Sequence, residues 1–339
     1  MAEGRGLASY ILTRLILAVP TVLILLTIVF LIMRVAPGDP AQAMLGAKAP
    51  PSQLELLREH MGLNKPLYMQ YIDYIFGVVQ GDLGKSFQFN TPMWELIKPR
   101  LMATLELVLY GFTLAVGLGV LLGKESAKRE GSWGDFLGDL YGIAIYAFPI
   151  FWVGIMAQLI FGIELGWLPT SGRFGAMAPP QTITGLYTID SLLQGQIDKF
   201  IVAIKHLILP ATVLGVYISG IFTRITRTNM LQTLKEDYIE AAEARGIKEK
   251  LVVNRYALKN ALLPLITIMG LQFALTLAGA VLTEVTFNWP GMADFIVSMA
   301  IERDYPAVQA TVTVFAILVA SVSVLIDIVI GVLDPRIRF

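Results

Sequence analysis

Side chains that could do chemistry are few in this chain and widely separated. It has no cysteine, and its two histidines are His60 and His206. Without cysteine there can be no disulfide, no thiolate metal site and no cysteine nucleophile, and the two histidines lack the spacing of metal ligands. We therefore expect neither a metal site nor a cofactor bound by this chain.

The stretch closest to a phosphate-binding loop is Gly117–Glu125. A Walker A loop would need a glycine where Leu118 stands and a serine or threonine where Glu125 stands. The glycines here instead favour close packing of membrane helices, with Lys124 at the membrane interface. The sequence thus predicts that this chain neither binds nor hydrolyses ATP.

Polar side chains within apolar stretches are candidates for function by default. Four acids qualify: Glu106, Glu164, Glu284 and Asp327. A proton-coupled carrier usually needs several acids at mid-depth, and at most one of these lies so deep, which favours a structural role for each. Gln158 and Gln272 lie closer to mid-span, where they could line a pathway or join two helices by hydrogen bonds.

The composition around these residues is that of a membrane protein. Apolar residues make up 55% of the 339 and charged residues 15%, against about 25% charged in soluble domains. Equal numbers of acidic and basic residues indicate no nucleic-acid partner. Six stretches are long enough for the roughly 20 apolar residues that cross a bilayer: Tyr10–Val35, Leu101–Gly123, Phe136–Gly162, Ile204–Arg224, Leu263–Phe287 and Val308–Leu333. The sequence predicts an all-α polytopic membrane protein with six transmembrane helices.

The placement of lysine and arginine predicts the orientation of these helices. The segments on the side of the N-terminus hold most of these residues, whereas the two short loops opposite hold only Arg173, Lys199 and Arg303. Both termini are therefore expected in the cytoplasm. The organisation follows as residues 1–35 with the first helix, an extracytoplasmic segment at 36–100, and a five-helix core at 101–339. The external segment is amphipathic in places and rich in turn residues, which suggests a small domain lying against the membrane face.

The inner segment at about 225–264 has the clearest local pattern. Thr233-Leu234-Lys235-Glu236 fits a capping box, which predicts a helix beginning there. Helix-forming residues continue to Arg245, and Gly246 suits the left-handed position that ends a helix. A second helical run, Lys248–Leu262, leads to the next span.

Four residues of the first of these helices, spaced i, i+3, i+4 and i+7, form one stripe: Tyr238, Ala241, Ala242 and Arg245. A helix resting on lipid headgroups would prefer leucine, phenylalanine or tryptophan there. Two alanines instead favour a rigid helix that a soluble partner protein binds. The charged residues beside the alanines would fix the register of the partner on this helix.

Glu240-Ala241-Ala242, with Gly246 four positions beyond Ala242, resembles the EAA loop of ABC-transporter permeases. Nearly the whole chain resembles the permeases of dipeptide and oligopeptide importers, in the first-subunit branch. The matching stretches are Pro37-Gly38-Asp39-Pro40, Gly81-Asp82-Leu83-Gly84-Lys85-Ser86, Gly166–Gly172, Asp237–Gly246, Asn260–Pro264, Thr283–Gly291 and Asp334-Pro335-Arg336-Ile337-Arg338. One departure is Lys259, where the general EAA pattern has a proline; the proline comes instead at Pro264, as is usual in the peptide branch.

This resemblance implies a bacterial or archaeal cell-membrane subunit that pairs with a second, homologous permease. Two ATP-binding subunits, which hold ATP and magnesium, would dock inside, and a substrate-binding protein would deliver cargo outside. The resemblance implies that Tyr238, Glu240, Ala241, Ala242, Arg245 and Gly246 couple the chain to the ATPases. In this interpretation the chain itself has no catalytic residue.

Other interpretations remain open. A self-sufficient secondary carrier would need ion ligands within the membrane or a repeat of broken helices, and neither is evident. A membrane-embedded enzyme would need clustered catalytic residues at one depth. Within the ABC importers, the family also includes permeases for oligosaccharides, nickel complexes and glutathione, so the sequence leaves the cargo open.

Overall fold

A computed structural model describes residues 7–35, 40–46 and 49–333. Over these residues it is helical throughout, with loops and no extended strand. Its α-helices in chain order are α1 (Leu7–Val35), α2 (Pro40–Leu45), α3 (Pro51–His60), α4 (Leu67–Gln80), α5 (Met93–Lys128), α6 (Trp133–Ala144), α7 (Ile150–Ala157), α8 (Tyr187–Leu193), α9 (Ile197–Leu234), α10 (Asp237–Ala244), α11 (Glu249–Leu251), α12 (Leu258–Gly279), α13 (Val281–Thr286), α14 (Met292–Ile301) and α15 (Tyr305–Leu333). Two π-helical stretches, Gln158–Glu164 and Val252–Ala257, continue α7 and α11. The predicted all-α polytopic class is confirmed.

Within the described ranges, five helical stretches are long and apolar enough to cross a membrane. They correspond to the first, second, fourth, fifth and sixth predicted spans: Ser9–Arg34, Met93–Lys128, Ile197–Leu234, Glu249–Leu277 and Tyr305–Val329. The first and sixth predicted spans agree with these helices to within four residues, and the second and fourth lie inside longer helices. The fifth, Leu263–Phe287, is placed too late, because it runs ten residues past Leu277 and includes α13. Several helices run well beyond the apolar stretch because polar residues with good helix propensity continue them.

The third predicted span, Phe136–Gly162, is not one helix, and the prediction is wrong on this point. α6 ends at Ala144, and α7 begins only after Pro149, whose backbone is extended with ψ 135°. Proline has no backbone N–H to donate, and it disfavours helical geometry in the residue before it. An apolar run read by hydropathy alone does not reveal such a break.

The described residues form two compact units. The first unit comprises the described residues within Met1–Leu101 and Gly291–Ile328. The second unit comprises those within Met102–Pro290 and Val329–Phe339. Pro37-Gly38-Asp39 and Asp334–Arg338, two of the family-like stretches, lie outside the described residues.

In the first unit, α4 packs on α1 through aromatic rings. Phe30 of α1 meets Tyr71 edge-on at 5.3 Å between ring centres and stacks on Tyr74 at 5.7 Å. The hydroxyl groups of Thr27 and Tyr71 are 2.7 Å apart. Tyr74 also reaches α15, where its hydroxyl lies 2.7 Å from that of Thr313.

The Gly81–Ser86 stretch has a structural role in the same unit. The carboxylate of Asp304 accepts the Ser86 hydroxyl at 2.5 Å and the Gln88 N–H at 3.0 Å. Its other oxygen accepts the N–H of Ala307 at 3.0 Å, which caps the start of α15. One buried carboxylate therefore fixes the loop before α5 onto the beginning of α15.

The second unit is built on a close crossing of α5 and α9. A Cβ added at Gly123 would lie 2.5 Å from the carbonyl oxygen of Thr223 and 2.7 Å from Cβ of Thr226. A Cβ at Gly119 would overlap Phe222. The prediction that these glycines serve helix packing is confirmed for Gly119 and Gly123, because only a hydrogen fits there. It is wrong for Gly117, where a Cβ would meet nothing within 4 Å.

Candidate functional site

The candidate site is α10 and the chain on either side of it. α10 begins at Asp237 after Glu236, whose side chain forms no capping hydrogen bond. The predicted capping box is wrong: α9 continues to Leu234, and the Thr233 hydroxyl donates to Asn229 of α9 at 2.8 Å. A hydroxyl inside a helix commonly bonds to the carbonyl four residues earlier. The four residues Thr233–Glu236 therefore contain the end of α9 and do not begin α10.

The end of α10 is as predicted. Gly246 has φ +73°, and its N–H donates to Glu243 at 2.8 Å. The N–H of Ile247 donates to Ala242 at 3.2 Å, which completes the two-bond pattern of a Schellman turn. Gly246 therefore sets the angle between α10 and the chain that follows.

One side of α10 is held by the protein's own core. Ile239 is 1% exposed and Ala242 is 4% exposed. They join an apolar cluster, here called the inner cluster, that draws on α5, α9, the second π-helical stretch and α12: Ala127, Met230, Ile239, Ala242, Val252, Val253, Ala257 and Ala261. α10 is therefore fixed rigidly to the ends of three long helices.

This arrangement divides the predicted stripe. Ala242 packs inward, so the prediction that it lies on the same accessible surface as the other three residues is wrong. Tyr238 is 40% exposed, and Glu240, Ala241 and Arg245 are exposed as well. The accessible surface of α10 thus carries one aromatic, one acidic, one small and one basic side chain.

Tyr238 is also tied to α12, because its hydroxyl accepts a hydrogen bond from Nδ2 of Asn260 at 2.9 Å. The predicted helical run Lys248–Leu262 does form, but as three pieces: α11, the π-helical stretch Val252–Ala257 and the start of α12. Single π turns occur within helices and often mark functional sites.

No pattern in the sequence indicates that α5 takes part in this site. Nζ of Lys124 donates to Asn254 at 3.3 Å, and Lys128 lies 3.7 Å from Glu249. Ala127 lies between them in the inner cluster. The spacing of three to four residues places Lys124, Ala127 and Lys128 on one side of α5. Nothing in the local sequence indicates that this side contacts residues more than a hundred positions later in the chain.

The buried acids of the second unit are paired. Glu106 and Arg173 are 1% and 5% exposed, and Oε2 of Glu106 accepts Nε of Arg173 at 2.9 Å and Nη2 at 2.6 Å. Oε1 accepts the N–H and the hydroxyl of Thr188 at 2.8 and 2.7 Å. Both oxygens are engaged, so the structural interpretation of Glu106 fits this geometry.

Glu284 and Asp327 also have partners, while Glu164 is exposed at the end of its π-helical stretch. Glu284 accepts the Thr104 hydroxyl at 2.5 Å. In the first unit, Asp327 forms an ion pair with Arg14 at 3.1 Å. These contacts join helix to helix and favour the structural role predicted for them.

The two glutamines predicted near mid-span, Gln158 and Gln272, differ in their surroundings. Nε2 of Gln158 donates to the carbonyl oxygens of Thr170 and Thr286 at 2.8 and 2.9 Å. This geometry favours the helix-joining alternative over a pathway role for Gln158. Gln272 is half-buried on α12 and stays a candidate pathway residue. Among the described residues, no group of three or more histidine, cysteine, aspartate or glutamate side chains could hold a metal ion.

The loop that carries Arg173 is folded around Asp190. Its carboxylate accepts the N–H and hydroxyl of Thr184 at 2.7 and 2.6 Å, and the N–H groups of Gly185 and Ile183 at 2.9 and 3.2 Å. Burial raises the pKa of this carboxyl, but these hydrogen bonds outweigh it and leave the pKa below its usual value. Gly185 in turn accepts Nη2 of Arg173 at 2.7 Å.

Asp190→Asn is expected to destabilise the folded chain by about 1–3 kcal/mol at pH 7, because an amide offers one acceptor where a carboxylate offers two. A lowered folded-state pKa gives stability that is present above the unfolded value, near 4, and is lost as pH falls. The difference from the unmodified chain should therefore shrink below about pH 4. Thermal unfolding in detergent across pH checks this, with exposed Asp198→Asn as the control. A difference that grows in acid would contradict it.

The long apolar helices, with one short exposed helix packed on their ends, are those of a multi-pass membrane protein. The chain belongs to the family described as binding-protein-dependent transport system inner membrane component, which matches residues 115–339. The N-terminal component of the same kind of transport system matches residues 7–108. The resemblance stated from the sequence is thereby confirmed.

Individual relatives cover almost the full length. The chain is 40% identical to the dipeptide transport system permease protein DppB of Alkalihalophilus pseudofirmus, over 98% of this chain and 99% of that protein. It is 40% identical to the di/tripeptide transport system permease protein DppB of Pseudomonas aeruginosa, over 97% and 98%. It is 34% identical to the glutathione transport system permease protein GsiC of Pectobacterium atrosepticum, over 98% and 99%.

Proposed function

We propose that this permease forms half of the translocation pathway of an ATP-driven importer of dipeptides and tripeptides. The other half is a second, homologous permease. Two ATP-binding subunits hold ATP and magnesium and dock on α10, so this chain is not itself catalytic. A substrate-binding protein delivers the cargo on the other side of the membrane.

The observation that carries this proposal is the two-sided character of α10. Its inward side, with Ile239 and Ala242, is fixed in the inner cluster. Its exposed side, with Tyr238, Glu240, Ala241 and Arg245, is left for a partner. A partner that moves α10 therefore also moves the helices on which α10 packs, because packed apolar interiors resist deformation.

The mechanism that follows is alternating access driven from outside the chain. When the ATP-binding subunits close, α10 moves with them, and the inner cluster passes the motion to α5, α9 and α12 together. About 5.5 kcal/mol of differential binding inverts a two-state equilibrium from 1:99 to 99:1, an amount that two bound ATP molecules can supply. Glu240 orients the docked helix, and Gly246 fixes its angle.

The peptide cargo rests on relatives that are 40% identical and named for dipeptides and tripeptides, against 34% for one named for glutathione. The test is uptake by the reconstituted four-component complex with its binding protein. Labelled dipeptide should accumulate only with ATP and Mg²⁺. Uptake of glutathione, oligosaccharide or nickel in place of dipeptide would overturn the cargo, and uptake by this subunit alone under an ion gradient would overturn the class.

The proposal places both termini and α10 in the cytoplasm of a bacterial or archaeal cell. Trp167–Gly172 and part of the segment 36–100 then face outward, where they contact the binding protein. The motif glycines Gly166 and Gly172 both have positive φ, which gives the Trp167–Gly172 loop a defined shape for such a contact. Cross-linking of the binding protein to this loop in the assembled complex is the expected result.

Gly246→Val is expected to leave the complex assembled but to reduce uptake per ATP hydrolysed. A Cβ at Gly246 would meet nothing within 4 Å, so the cost is confined to the backbone at φ +73°. A β-branched residue there costs roughly 1–2 kcal/mol and favours another turn angle. Uptake and ATP hydrolysis are measured on the same proteoliposomes.

Two matched variants serve as controls. Gly246→Asn should retain coupling, because asparagine tolerates the left-handed region. Gly131→Val introduces the same strain, at φ +77° and again with no neighbour within 4 Å, in the turn between α5 and α6. Equal loss of coupling in Gly131→Val, or full coupling in Gly246→Val, would refute a specific role for Gly246.

A further inference from the structure

The side chains of α4 form three sectors around the helix, and one sector is apolar and uncovered. Tyr71 and Tyr74 pack on α1 and α15. A second sector faces a cavity of about 530 Å³ and includes the only charged side chain of α4: Gln70, Asp73 and Gly77. The third sector is exposed and apolar throughout, and we call it the α4 stripe: Tyr68, Ile72, Phe76 and Val79.

The contact with α1 shows how deep α4 lies. Tyr71 bonds to Thr27, which is seven residues before the end of the apolar span Ser9–Arg34. At 1.5 Å per residue, this contact lies about 10 Å inside that span. Arg34, the last residue of that span, lines the cavity beside α4, so α4 extends from the end of α1 to about 10 Å inside the span.

The contact with α15 gives the same depth independently. Tyr74 bonds to Thr313, eight residues after the start of the span Tyr305–Val329. That distance corresponds to about 12 Å. Two long apolar helices thus place the middle of α4 well below their ends.

The surroundings of the stripe continue the lipid-facing surface of α1. Ile28 and Ile32 of α1 are 47% and 62% exposed, and Phe76 on α4 is 62% exposed. Such side chains are covered by acyl chains in a membrane. Facing lipid on one side and a polar cavity on another also explains why the polar and apolar sectors of α4 are separate.

We propose that α4 is embedded in one leaflet of the bilayer, with the α4 stripe in contact with lipid acyl chains. Its fourteen residues extend about 21 Å, too short to cross a hydrocarbon core of roughly 30 Å. α4 is then a half-membrane helix, and part of the segment expected to be external lies inside the membrane. This inference does not depend on the cargo or on which side of the membrane α10 faces.

The absence of cysteine from the chain makes spin labelling direct. Single cysteines are introduced as Ile72→Cys and Phe76→Cys, in the assembled importer with cysteine-free partners in liposomes. Ile28→Cys on α1 is the lipid reference, and Gln80→Cys, exposed at the end of α4, is the aqueous reference. Nitroxide accessibility to oxygen and to a water-soluble nickel chelate is measured, with ATP-dependent uptake as the check on folding.

Nitroxides at positions 72 and 76 should be more accessible to oxygen than to the nickel chelate, like the lipid reference at position 28. The aqueous reference at position 80 should be more accessible to the nickel chelate than to oxygen. Nickel accessibility at 72 and 76 equal to that at 80 would overturn the proposal, because the stripe would then face water. Protection from both reagents would also overturn it, because a partner subunit or the binding protein would then cover the stripe.

Discussion

Arg173→Met is expected to destabilise the folded chain by about 3–5 kcal/mol, the cost of leaving one partner of a buried ion pair alone. Glu106, 1% exposed, would keep the hydrogen bonds from Thr188 but lose both from the guanidinium. The loop would also lose the bond to Gly185 and the contact of Arg173 with the ring of Tyr187, 3.8 Å from its centre.

Thermal unfolding of the purified subunit in detergent measures the effect. Lys65→Met is the matched control, because its ion pair with Asp73 is more than half exposed and such pairs contribute only about 0–1 kcal/mol. The double variant Glu106→Gln with Arg173→Met should recover part of the loss, since it removes the unpaired charge. Equal stability of Arg173→Met and Lys65→Met would contradict the structural role of the pair.

Gly123→Ala is expected to cost about 2–3 kcal/mol, near the upper end for overpacking. The added methyl group would lie 2.5 Å from the carbonyl oxygen of Thr223 and 3.0 Å from the backbone N of Arg227. Backbone atoms cannot rotate away, so α5 and α9 would have to separate. The result should be less folded protein in membranes and a lower unfolding temperature.

Gly117→Ala provides the comparison, because it makes the same change on the same helix. A Cβ at Gly117 would meet nothing within 4 Å, and alanine favours a helix over glycine by up to about 1 kcal/mol. This variant should be as stable as the unmodified chain or more so. If the two alanine variants behave alike, the close crossing of α5 and α9 is not what Gly123 supports.

Much of the fold follows from the sequence because bilayer thickness imposes a length on apolar helices. The break at Pro149 was missed because hydropathy averages over a window and does not weigh the missing N–H of one proline. The end of α10 was predicted correctly, since a glycine after helix-forming residues has a local cause. The beginning of α10 was not predicted correctly, because a threonine such as Thr233 can either cap a new helix or continue the preceding one.

The orientation of α10 could not be predicted in full. Helical spacing groups Tyr238, Ala241, Ala242 and Arg245 on one side, but which of them faces the protein depends on Met230 and Val252 in distant elements. The pairing of Glu106 with Arg173 likewise has no local pattern. Sequence reasoning reached only the expectation that such an acid is structural, and the structure supplies the partner.

The separation of Glu106 and Arg173 along the chain bears on how the subunit is made. The two are 67 residues apart, and ribosomes add about 5–20 residues per second, so roughly 3–13 s pass between their synthesis. During that interval α5 is delivered to the translocon carrying an acid whose counter-ion has not yet been translated. The Glu106 end of α5 can therefore reach its final packing only after the loop with Arg173 has been synthesised.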